Sequence, residues 1–460
     1  MEVSLMEMLD ARERRAQWQQ ALLGQYQATL LCFSMNIAGP VKNSPLIRRG
    51  FDMGRRLLEQ QLQVEKIRIL HFEQIFEKTG NEAVYVLDCE ALAAKRAAVT
   101  VEDHTEAGRL YDMDVLRPDG TKVDRQDLNL EARTCLICGG PARNCARSRA
   151  HTVELLQNRT RELLETALTN YHSRHTARLA CQALLCEVAA TPKPGLVDRA
   201  NSGSHQDMDF FTFQASAAAL WPYFETCART GLNTRHLSPE ETFSRLRIKG
   251  MLAEGEMLRA TGGVNTHKGA IFSLGILCAA LGRMGWESGD QPEGLLRECA
   301  RMTAGLVETD FAGLTEETAV TAGQKLYVRH GITGVRGQAE AGFPAVGKVG
   351  LPKLEEGLEK GLSLNDAGCA ALLAMMAAST DTNLISRSDV AVQRQLALEM
   401  AGLLEQEPFP GEETLKALDE AFIRRNLSPG GTADLLALTY FLHFVKEDTP
   451  GTELPKGRGL

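Results

Sequence analysis

The chain has 460 residues, more than one hydrophobic core normally supports, so two or more domains are expected. Its composition, 44% hydrophobic and 24% charged, is typical of a globular protein, and its net charge of −8 argues against a nucleic-acid partner. Neither a signal-peptide core nor a membrane-spanning run is present, so we expect a cytoplasmic protein without a membrane partner.

Residues 1–165 mix helical and strand patterns, which predicts an α+β domain. A helix is predicted over residues 11–31, and strands over 83–89 and 108–116, where apolar residues recur at short spacing. The Asp-Gly pair of RPDGTKV (117–123) is typical of a tight turn directly after the second strand.

From about residue 170 the apolar spacing becomes helical, and Ala, Leu and Met are abundant, which predicts an all-α domain. Helices are predicted over five segments: 174–190, 207–228, 244–263, 268–285 and 367–380. We place the domains at 1–165 and 166–460, with the boundary between residues 154 and 174, in a stretch that fits one continuous helix.

Four polar loops separate these helices. The first, TPKPGLVDRANSGSHQDMDFFTF (191–213), crowds five polar side chains in front of an apolar helix: Asp198, Asn201, His205, Asp207 and Asp209. An N-cap needs one such residue, so the cluster favours a metal or ribose site. Caps in a solvated loop are the alternative.

The second loop opens the stretch GGVNTHKGAIFSLG (262–275). It lacks the spacing of a P-loop, and no predicted strand precedes it. A glycine pair before a helix can nevertheless present backbone N–H groups to an anion, and Lys268 adds a positive charge.

The third loop, GITGVRGQAEAGFPAV (331–346), surrounds Arg336 with glycines, and the fourth, STDTNLISR (379–387), carries Asp381 and Asn383. Each could cap a helix. A helical bundle whose polar end surrounds a phosphorylated ligand explains all four loops together.

Four motifs in this order resemble the triphosphoribosyl-dephospho-CoA synthase family over roughly residues 170–450: TPKPGLVDxxNxGxHxDM, GxNTHKGxIFxLG, GxRGxAxxGFP and DTN. That family makes the precursor of the citrate lyase prosthetic group. The resemblance implies that ATP and 3′-dephospho-CoA are substrates. The 2′-hydroxyl of dephospho-CoA replaces adenine at C1 of the ATP ribose, and the triphosphate is retained.

The resemblance also implies roles for residues of the four loops. Asp207 and Asp209 would bind Mg²⁺ or activate the hydroxyl, and His267 would assist the departing adenine. Lys268 and Arg336 would hold phosphates. Further substrate contacts are implied for His205, Asp198, Asn201, Asn265, Thr266, Glu340, Asp381 and Asn383.

Two places depart from the family pattern. An acidic residue is expected where this chain has Gln338, and HRGG-like residues are expected where it has Ser386, Arg387 and Ser388. No role is assigned at these positions.

Asp112 and Asp114 lie two apart on the second predicted strand, so they share one face, roughly 6.5–7 Å apart at the backbone. Such a pair can converge on Mg²⁺, which suits nucleotidyl transfer. A solvent-facing pair at a sheet edge is the alternative. Basic residues suited to an anionic nucleotide, unless they merely line solvated helices, are Lys42, Arg48, Arg49, Arg147 and Arg149.

Cys135, Cys138, Cys145 and His151 have the spacing C-x2-C-x6-C-x5-H, which is not a strong zinc pattern. Most of the eleven cysteines stand alone in apolar patterns typical of buried thiols. We therefore expect free thiols here, with structural zinc as the alternative.

NIAGPVKNSPLIRR, GRLYDMDV and CLICGGPARNCARSRAH, in this order, resemble the apo-citrate lyase phosphoribosyl-dephospho-CoA transferase family over about residues 15–165. Members transfer phosphoribosyl-dephospho-CoA to a serine of the acyl carrier protein, the gamma subunit, and release diphosphate. The resemblance implies a nucleotidyltransferase-like domain with Mg²⁺ on Asp112 and Asp114 as the catalytic pair. The basic residues named above would hold the leaving diphosphate.

The two halves therefore fit one pathway, in which the second makes a donor that the first consumes. One alternative is a nucleoside or ADP-ribosyl hydrolase fused to a nucleotidyltransferase. Another is a dephospho-CoA-binding assembly factor with one inactive domain.

Overall fold

The computed structural model describes residues 2–285 and 292–447. The chain divides into two compact units, Met1–Tyr171 (unit 1) and His172–Leu460 (unit 2). Unit 1 combines a small antiparallel sheet with helices, and unit 2 is helical throughout its described residues, without a strand. The predicted order of an α+β part followed by an all-α part is confirmed.

Unit 1 is built on a five-stranded sheet in the order β2-β3-β1-β4-β5, in which every neighbouring pair is antiparallel. The strands are β1 (Thr29–Met35), β2 (Arg68–Glu77), β3 (Gly80–Asp88), β4 (Tyr111–Leu116) and β5 (Lys122–Val123). The helices are α1 (Leu5–Tyr26), α2 (Pro45–Val64), α3 (Ala91–His104), α4 (Ala142–Ser148) and the start of α5 (Val153–Ala189).

Both faces of this sheet are covered. Phe33 of β1 stacks on Phe51 of α2 with ring centroids 4.7 Å apart, so α2 packs on one face. Leu22 and Leu23 of α1 pack with Leu30 of β1 on the other face. Successive side chains of a strand point to opposite faces of the sheet, so the residues of β4 point alternately towards α1 and towards α2.

The predicted helix over residues 11–31 is wrong at its end. Helix α1 stops at Tyr26, Gln27 adopts a left-handed conformation with φ 49°, and the chain enters β1 at Thr29. A short apolar run such as TLLCF fits both the helical and the strand period. Its pairing with β3 and β4 stabilises the strand.

The second predicted strand is also partly wrong. Residues Glu106–Leu110 form a 3₁₀ helix that Thr105 caps through Gly108 N, at 3.2 Å, and the strand begins only at Tyr111. The strand over 83–89 falls within β3 apart from Cys89, and the predicted turn is present, with Arg117 N donating to Thr121 O at 2.8 Å.

Unit 2 is a bundle of helices around a shared apolar core. After α5 come α6 (Phe210–Asn233), α7 (Pro239–Ala260), α8 (Lys268–Met284), α9 (Pro292–Met302), α10 (Leu306–Phe311), α11 (Ala322–His330) and α12 (Gly334–Glu340). They are followed by α13 (Leu351–Glu359), α14 (Leu364–Ala378), α15 (Thr382–Arg387), α16 (Val390–Gln406), α17 (Glu412–Arg424) and α18 (Gly430–Glu447). All five predicted helical segments lie largely within helices.

Helix α8 occupies the middle of this bundle because its backbone approaches α6 closely. A Cβ at Gly231 would lie 1.9 Å from the carbonyl oxygen of Ala279, and one at Gly282 would lie 2.2 Å from that of Ala228. Only glycine permits this approach. The contact holds the C-terminal part of α8 against α6. No helix in the described ranges is long and apolar enough to cross a membrane.

Candidate functional site

A cavity of about 400 Å³ lies at the polar end of the unit 2 bundle. Residues from all four predicted loops line it, which confirms that the loops gather at one place. The predicted site residues in its lining are His205, Asp207, Asn265, Thr266, His267, Lys268 and Asn383. Residues of a fifth segment, 428–435, also contribute and were not singled out from the sequence.

His267 precedes α8 and is 2% exposed. Its Nδ1 lies 2.7 Å from Ser216 Oγ, which accepts a hydrogen bond from Thr266 Oγ1 at 2.8 Å. The Ser216 hydroxyl is thus left to donate to Nδ1, which assigns the ring proton to Nε2. Among the described residues, Nε2 has no hydrogen-bond partner. Burial lowers the pKa of His267 to about 3, so a neutral ring offers an N–H donor at the cavity.

Lys268 is the first residue of α8. Its Nζ lies 2.8 Å from Glu254 Oε2, and its side chain is 58% exposed. An exposed pair of this kind contributes little stability, so a phosphate can replace Glu254 as the partner of Lys268.

One of the two glycine amides before α8, that of Gly263, is already used within the protein. Gly263 N donates to Leu258 O at 2.7 Å, and both glycines have positive φ, 65° at Gly262 and 95° at Gly263. This is the hydrogen bonding that ends a helix, here α7. The amide of Ala270, inside α8, already has a carboxylate as its acceptor.

That carboxylate belongs to Asp434, the fifth residue of α18. A Cβ at position 269 would lie 1.9 Å from Asp434 Oδ2, so glycine at 269 lets the carboxylate reach the α8 backbone. Burial, followed by the nearby carboxylates of Glu187 and Asp381, raises the pKa of Asp434 well above its ordinary value. A lining carboxylate with a raised pKa is a typical acid–base group.

Glu187, from α5, is a second lining carboxylate that sequence reasoning missed. It is 4% exposed and forms an ion pair with Lys193, which is 1% exposed and also donates to Glu187 O at 2.7 Å. Burial raises the pKa of Glu187, and the Lys193 charge opposes that shift. For Asp434 a signal existed in the sequence, because two glycines and an acid open an apolar helix there.

His205 connects two walls of the cavity. Its Nε2 lies 2.9 Å from Ser428 Oγ, and its Nδ1 lies 3.1 Å from Arg387 Nη2. Burial and the charge of Arg387 lower the pKa of His205. Arg387, at one of the positions that depart from the family pattern, thus orients a lining imidazole.

Several predicted site residues shape the loops instead of lining the cavity. Asp198 accepts hydrogen bonds from Thr191 Oγ1 at 2.7 Å and from Ala200 N at 2.7 Å. Asn201 Nδ2 donates to Asp419 Oδ2 at 2.8 Å. These bonds fold the 191–205 loop into its shape.

Four more predicted residues cap helices or pair with other side chains. Asp209 and Asp381 are the N-caps of α6 and α15, and Glu340 accepts from two backbone amides at the start of α10. Arg336 Nε donates to Asp310 Oδ2 at 2.7 Å. Their predicted contacts with substrate stay predictions.

We expect Gly269→Ala to destabilise unit 2 because the added methyl group overlaps Asp434. Forced overlap in a packed region costs about 1–3 kcal/mol, measurable as a lower midpoint of chemical unfolding. Gly255→Ala in α7 is the matched control, because a Cβ there meets no atom within 4 Å. The idea fails if Gly269→Ala unfolds like Gly255→Ala, or if combining it with Asp434→Ala restores no stability.

In unit 1, Asp112 and Asp114 lie on the α1 face of the sheet. Strand pairing sets Asp112 opposite Ser34 and Asp114 opposite Cys32. Asp114 pairs with Lys122 at 2.6 Å, and burial together with the Asp114 charge raises the pKa of Asp112. The pair is therefore on one strand face, as predicted. The recess it lines, about 20 Å³, is smaller than a nucleotide.

The predicted basic residues lie elsewhere in unit 1. Lys42 Nζ donates to Ile37 O at 2.5 Å, and Arg48, near the start of α2, sits 3.1 Å above the Phe76 ring. Arg49 Nε is buried and has no hydrogen-bond partner among the described residues. Arg147 and Arg149 are exposed at the end of α4. Lys122, Arg133 and Arg15 are cations of unit 1 that interact with Asp112, and none of them was predicted.

Comparison with known proteins matches each unit to a different family. The family CitX, apo-citrate lyase phosphoribosyl-dephospho-CoA transferase, matches residues 3–167. The family CitG, ATP:dephospho-CoA triphosphoribosyl transferase, matches residues 173–452.

Full-length relatives have both parts. Protein CitXG of Haemophilus influenzae is 36% identical over 457 residues, which cover 96% of each chain. Protein CitXG of Leuconostoc mesenteroides subsp. cremoris is 32% identical over 461 residues, covering 96% of this chain and 97% of its own. The 2-(5''-triphosphoribosyl)-3'-dephosphocoenzyme-A synthase of Escherichia fergusonii is 41% identical over 292 residues, covering 62% of this chain and 95% of its own.

An α+β unit followed by a helical unit, each matching its own transferase family, defines a class of fused transferases. Both full-length relatives carry the same printed name, and each is aligned from end to end. The chain belongs to the CitXG family.

Proposed function

We propose that this chain makes and attaches the citrate lyase prosthetic group. Unit 2 converts ATP and 3′-dephospho-CoA to 2′-(5″-triphosphoribosyl)-3′-dephospho-CoA and adenine. Unit 1 transfers phosphoribosyl-dephospho-CoA to a serine of the citrate lyase acyl carrier protein, the gamma subunit, and releases diphosphate. Both substrates of unit 2 are cytoplasmic metabolites, so we place the protein in the cytoplasm.

The observation that carries the synthase proposal is the cavity in which Asp434, His267 and Lys268 meet. Replacing a base at an anomeric carbon passes through an oxocarbenium-like state, as in glycoside hydrolysis. It requires a base for the incoming hydroxyl and help for the leaving group.

We assign the steps to these residues. Asp434 takes the proton of the dephospho-CoA 2′-hydroxyl as its oxygen bonds to C1 of the ATP ribose. The bond from C1 to adenine breaks, adenine takes a proton from water, and Asp434 returns to solvent the proton that it accepted. The neutral His267 ring stabilises the leaving adenine by donating a hydrogen bond from Nε2. Lys268 holds the triphosphate. Asn265 and Thr266, which also line the cavity, are placed to contact the ribose.

Mg²⁺ in unit 2 fits Asp207 better than Asp209. Asp207 is exposed in the cavity lining, whereas Asp209 Oδ1 already accepts from Thr212 N at 2.9 Å and from its hydroxyl at 2.6 Å. Mg²⁺ bound to nucleotides commonly takes one or two carboxylates besides phosphate oxygens. One protein carboxylate is therefore enough.

In unit 1, two carboxylates on one strand face fit Mg²⁺, whose preferred ligands are oxygen atoms. When bound, the ion would offset charge on the α-phosphate and lower the pKa of the serine hydroxyl. Asp112 and Asp114 would hold it, and Lys122 would give up Asp114 to do so. This makes unit 1 nucleotidyltransferase-like in its chemistry. Lys42, Arg48, Arg49, Arg147 and Arg149 remain the proposed contacts of the leaving diphosphate.

The test is to incubate purified protein with ATP, 3′-dephospho-CoA and Mg²⁺ and to measure free adenine by chromatography. Adenine that forms only when dephospho-CoA is present is the expected result. Apo acyl carrier protein should then gain mass, and diphosphate should appear. Adenine without dephospho-CoA would indicate a hydrolase, and dephospho-CoA binding without adenine would indicate an assembly factor.

A further inference from the structure

Outside both sites, unit 1 contains a cluster of three cysteines and one histidine. The ligand atoms of Cys135, Cys138, Cys145 and His151 all lie within 4.8 Å of one another. Within 2–285 and 292–447, no other group of three or more potential metal-ligating side chains converges in this way. Cys138 Sγ lies 3.5 Å from Cys145 Sγ, too far for a disulfide and close to the roughly 3.7 Å between two sulfurs on one tetrahedral zinc ion.

The backbone is folded to bring these atoms together. Cys135 N donates to Gly140 O at 2.6 Å, Gly139 N donates to Cys135 O at 3.1 Å, and Gly139 has φ 71°. This turn folds Cys138 back beside Cys135. Ile137 N approaches Cys135 Sγ at 3.5 Å, and such backbone donors stabilise a thiolate.

Helix α4 and the residues after it bring Cys145 and His151 close to Cys135 and Cys138. The helix ends at Arg149, whose φ is 50°, and Ala150 N donates to Cys145 O at 3.1 Å. The reversal carries His151 back to the thiols. His151 Nε2 is buried and has no hydrogen-bond partner in the described chain, as expected of an imidazole nitrogen reserved for a metal ion.

The segment that carries the cluster lacks a hydrophobic core of its own. Every residue from Asp124 to Arg159 is at least partly exposed. At its start Arg133 donates to Tyr111 O at 2.6 Å and pairs with Glu102 at 2.5 Å. A segment that buries so little apolar surface commonly needs a cross-link or a metal ion to hold its fold.

We propose that Cys135, Cys138, Cys145 and His151 bind one structural zinc ion. Three thiolates and an imidazole complete a closed tetrahedral site, and the thiol protons are released to solvent on binding. The ion fixes the end of α4 and the residues that follow it up to His151, a segment that carries Arg147 and Arg149 on the surface of unit 1.

The test measures metal content in the full-length chain purified without chelator. Mass spectrometry should find about one zinc ion per chain in the unmodified protein. Cys138→Ser and Cys145→Ser should each reduce the zinc content to near zero. Cys89→Ser is the matched control, a half-buried cysteine of unit 1 outside the cluster, and should keep its zinc.

A second measurement on the unmodified chain covers the case in which a variant fails to fold. Replacing zinc with Co²⁺ should give the strong visible and near-ultraviolet bands of a tetrahedral cobalt–thiolate site. Removing the ion should speed tryptic cleavage between Arg143 and Arg149. The proposal is overturned if the reduced protein takes up neither zinc nor Co²⁺, if both serine variants retain zinc, or if Cys138 and Cys145 are joined by a disulfide.

Discussion

Asp434→Asn is expected to slow dephospho-CoA-dependent adenine release by about 10²–10⁴-fold, the usual contribution of a positioned acid or base. The amide keeps the shape of the carboxylate but cannot accept the proton of the 2′-hydroxyl. The same variant should still fold, because it no longer has to bury a carboxylate beside Glu187 and Asp381. The loss should fall on kcat, measured at saturating ATP and dephospho-CoA.

The pH dependence of stability gives an independent check. The pKa of Asp434 is higher in the folded chain than in the unfolded chain, so the folded state binds more protons, and ionisation at rising pH lowers the free energy of unfolding. Asn cannot ionise, so the stability of the variant relative to the unmodified chain should rise above about pH 4. Glu317→Gln, at an exposed turn position of unit 2, should change neither rate nor stability. Full activity of Asp434→Asn would exclude this residue as the base.

Asp112→Asn should abolish transfer to the acyl carrier protein while adenine release continues. If the pair binds Mg²⁺ as proposed, losing one of its two carboxylates removes several kcal/mol of transition-state stabilisation, so diphosphate release should fall by about 10²-fold or more. The assay supplies the triphosphoribosyl donor, so that unit 1 is measured alone. Adenine release by unit 2 in the same sample reports whether the protein is intact.

Glu131→Gln is the matched control for that experiment. It removes an exposed carboxylate from unit 1 outside the strand pair, and it should leave both reactions unchanged. If Asp112→Asn and Asp114→Asn both transfer at the rate of Glu131→Gln, the pair lies on a solvent-facing strand without catalytic function.

Sequence periodicity sufficed for the helices of unit 2 but not for the sheet of unit 1. Helix α8 is buried along most of its length, and its apolar run still has a clear helical period. Strand β1 is only seven residues long and follows a helix after two residues, so its first three residues, 29–31, were predicted as the end of that helix. Strand β2 was not predicted, because its exposed and half-buried residues alternate weakly. Both strands form because they pair with other strands of the sheet, and the apolar pattern within each strand does not show that pairing.

For the site, the motifs located the cavity but not the function of each side chain. Asp198 and Asp381 look like ligands in sequence, yet both accept several backbone or hydroxyl hydrogen bonds that hold loops. Asp434 lies more than 160 residues from Gly269 along the chain, and only the folded structure shows why that glycine is required. Such dependence between distant positions cannot be read from local spacing.

The cysteine thiols of this protein are expected to differ in their reactivity towards oxidants and electrophiles, because their pKa values differ between the two units. Burial raises the pKa of Cys181, Cys227 and Cys369 to about 12, so in unit 2 these thiols stay protonated and inert near neutral pH. In unit 1, backbone amides lower the pKa of Cys135 to about 6. Among these thiols, Cys135 is therefore expected to react first, and a bound metal ion would shield it.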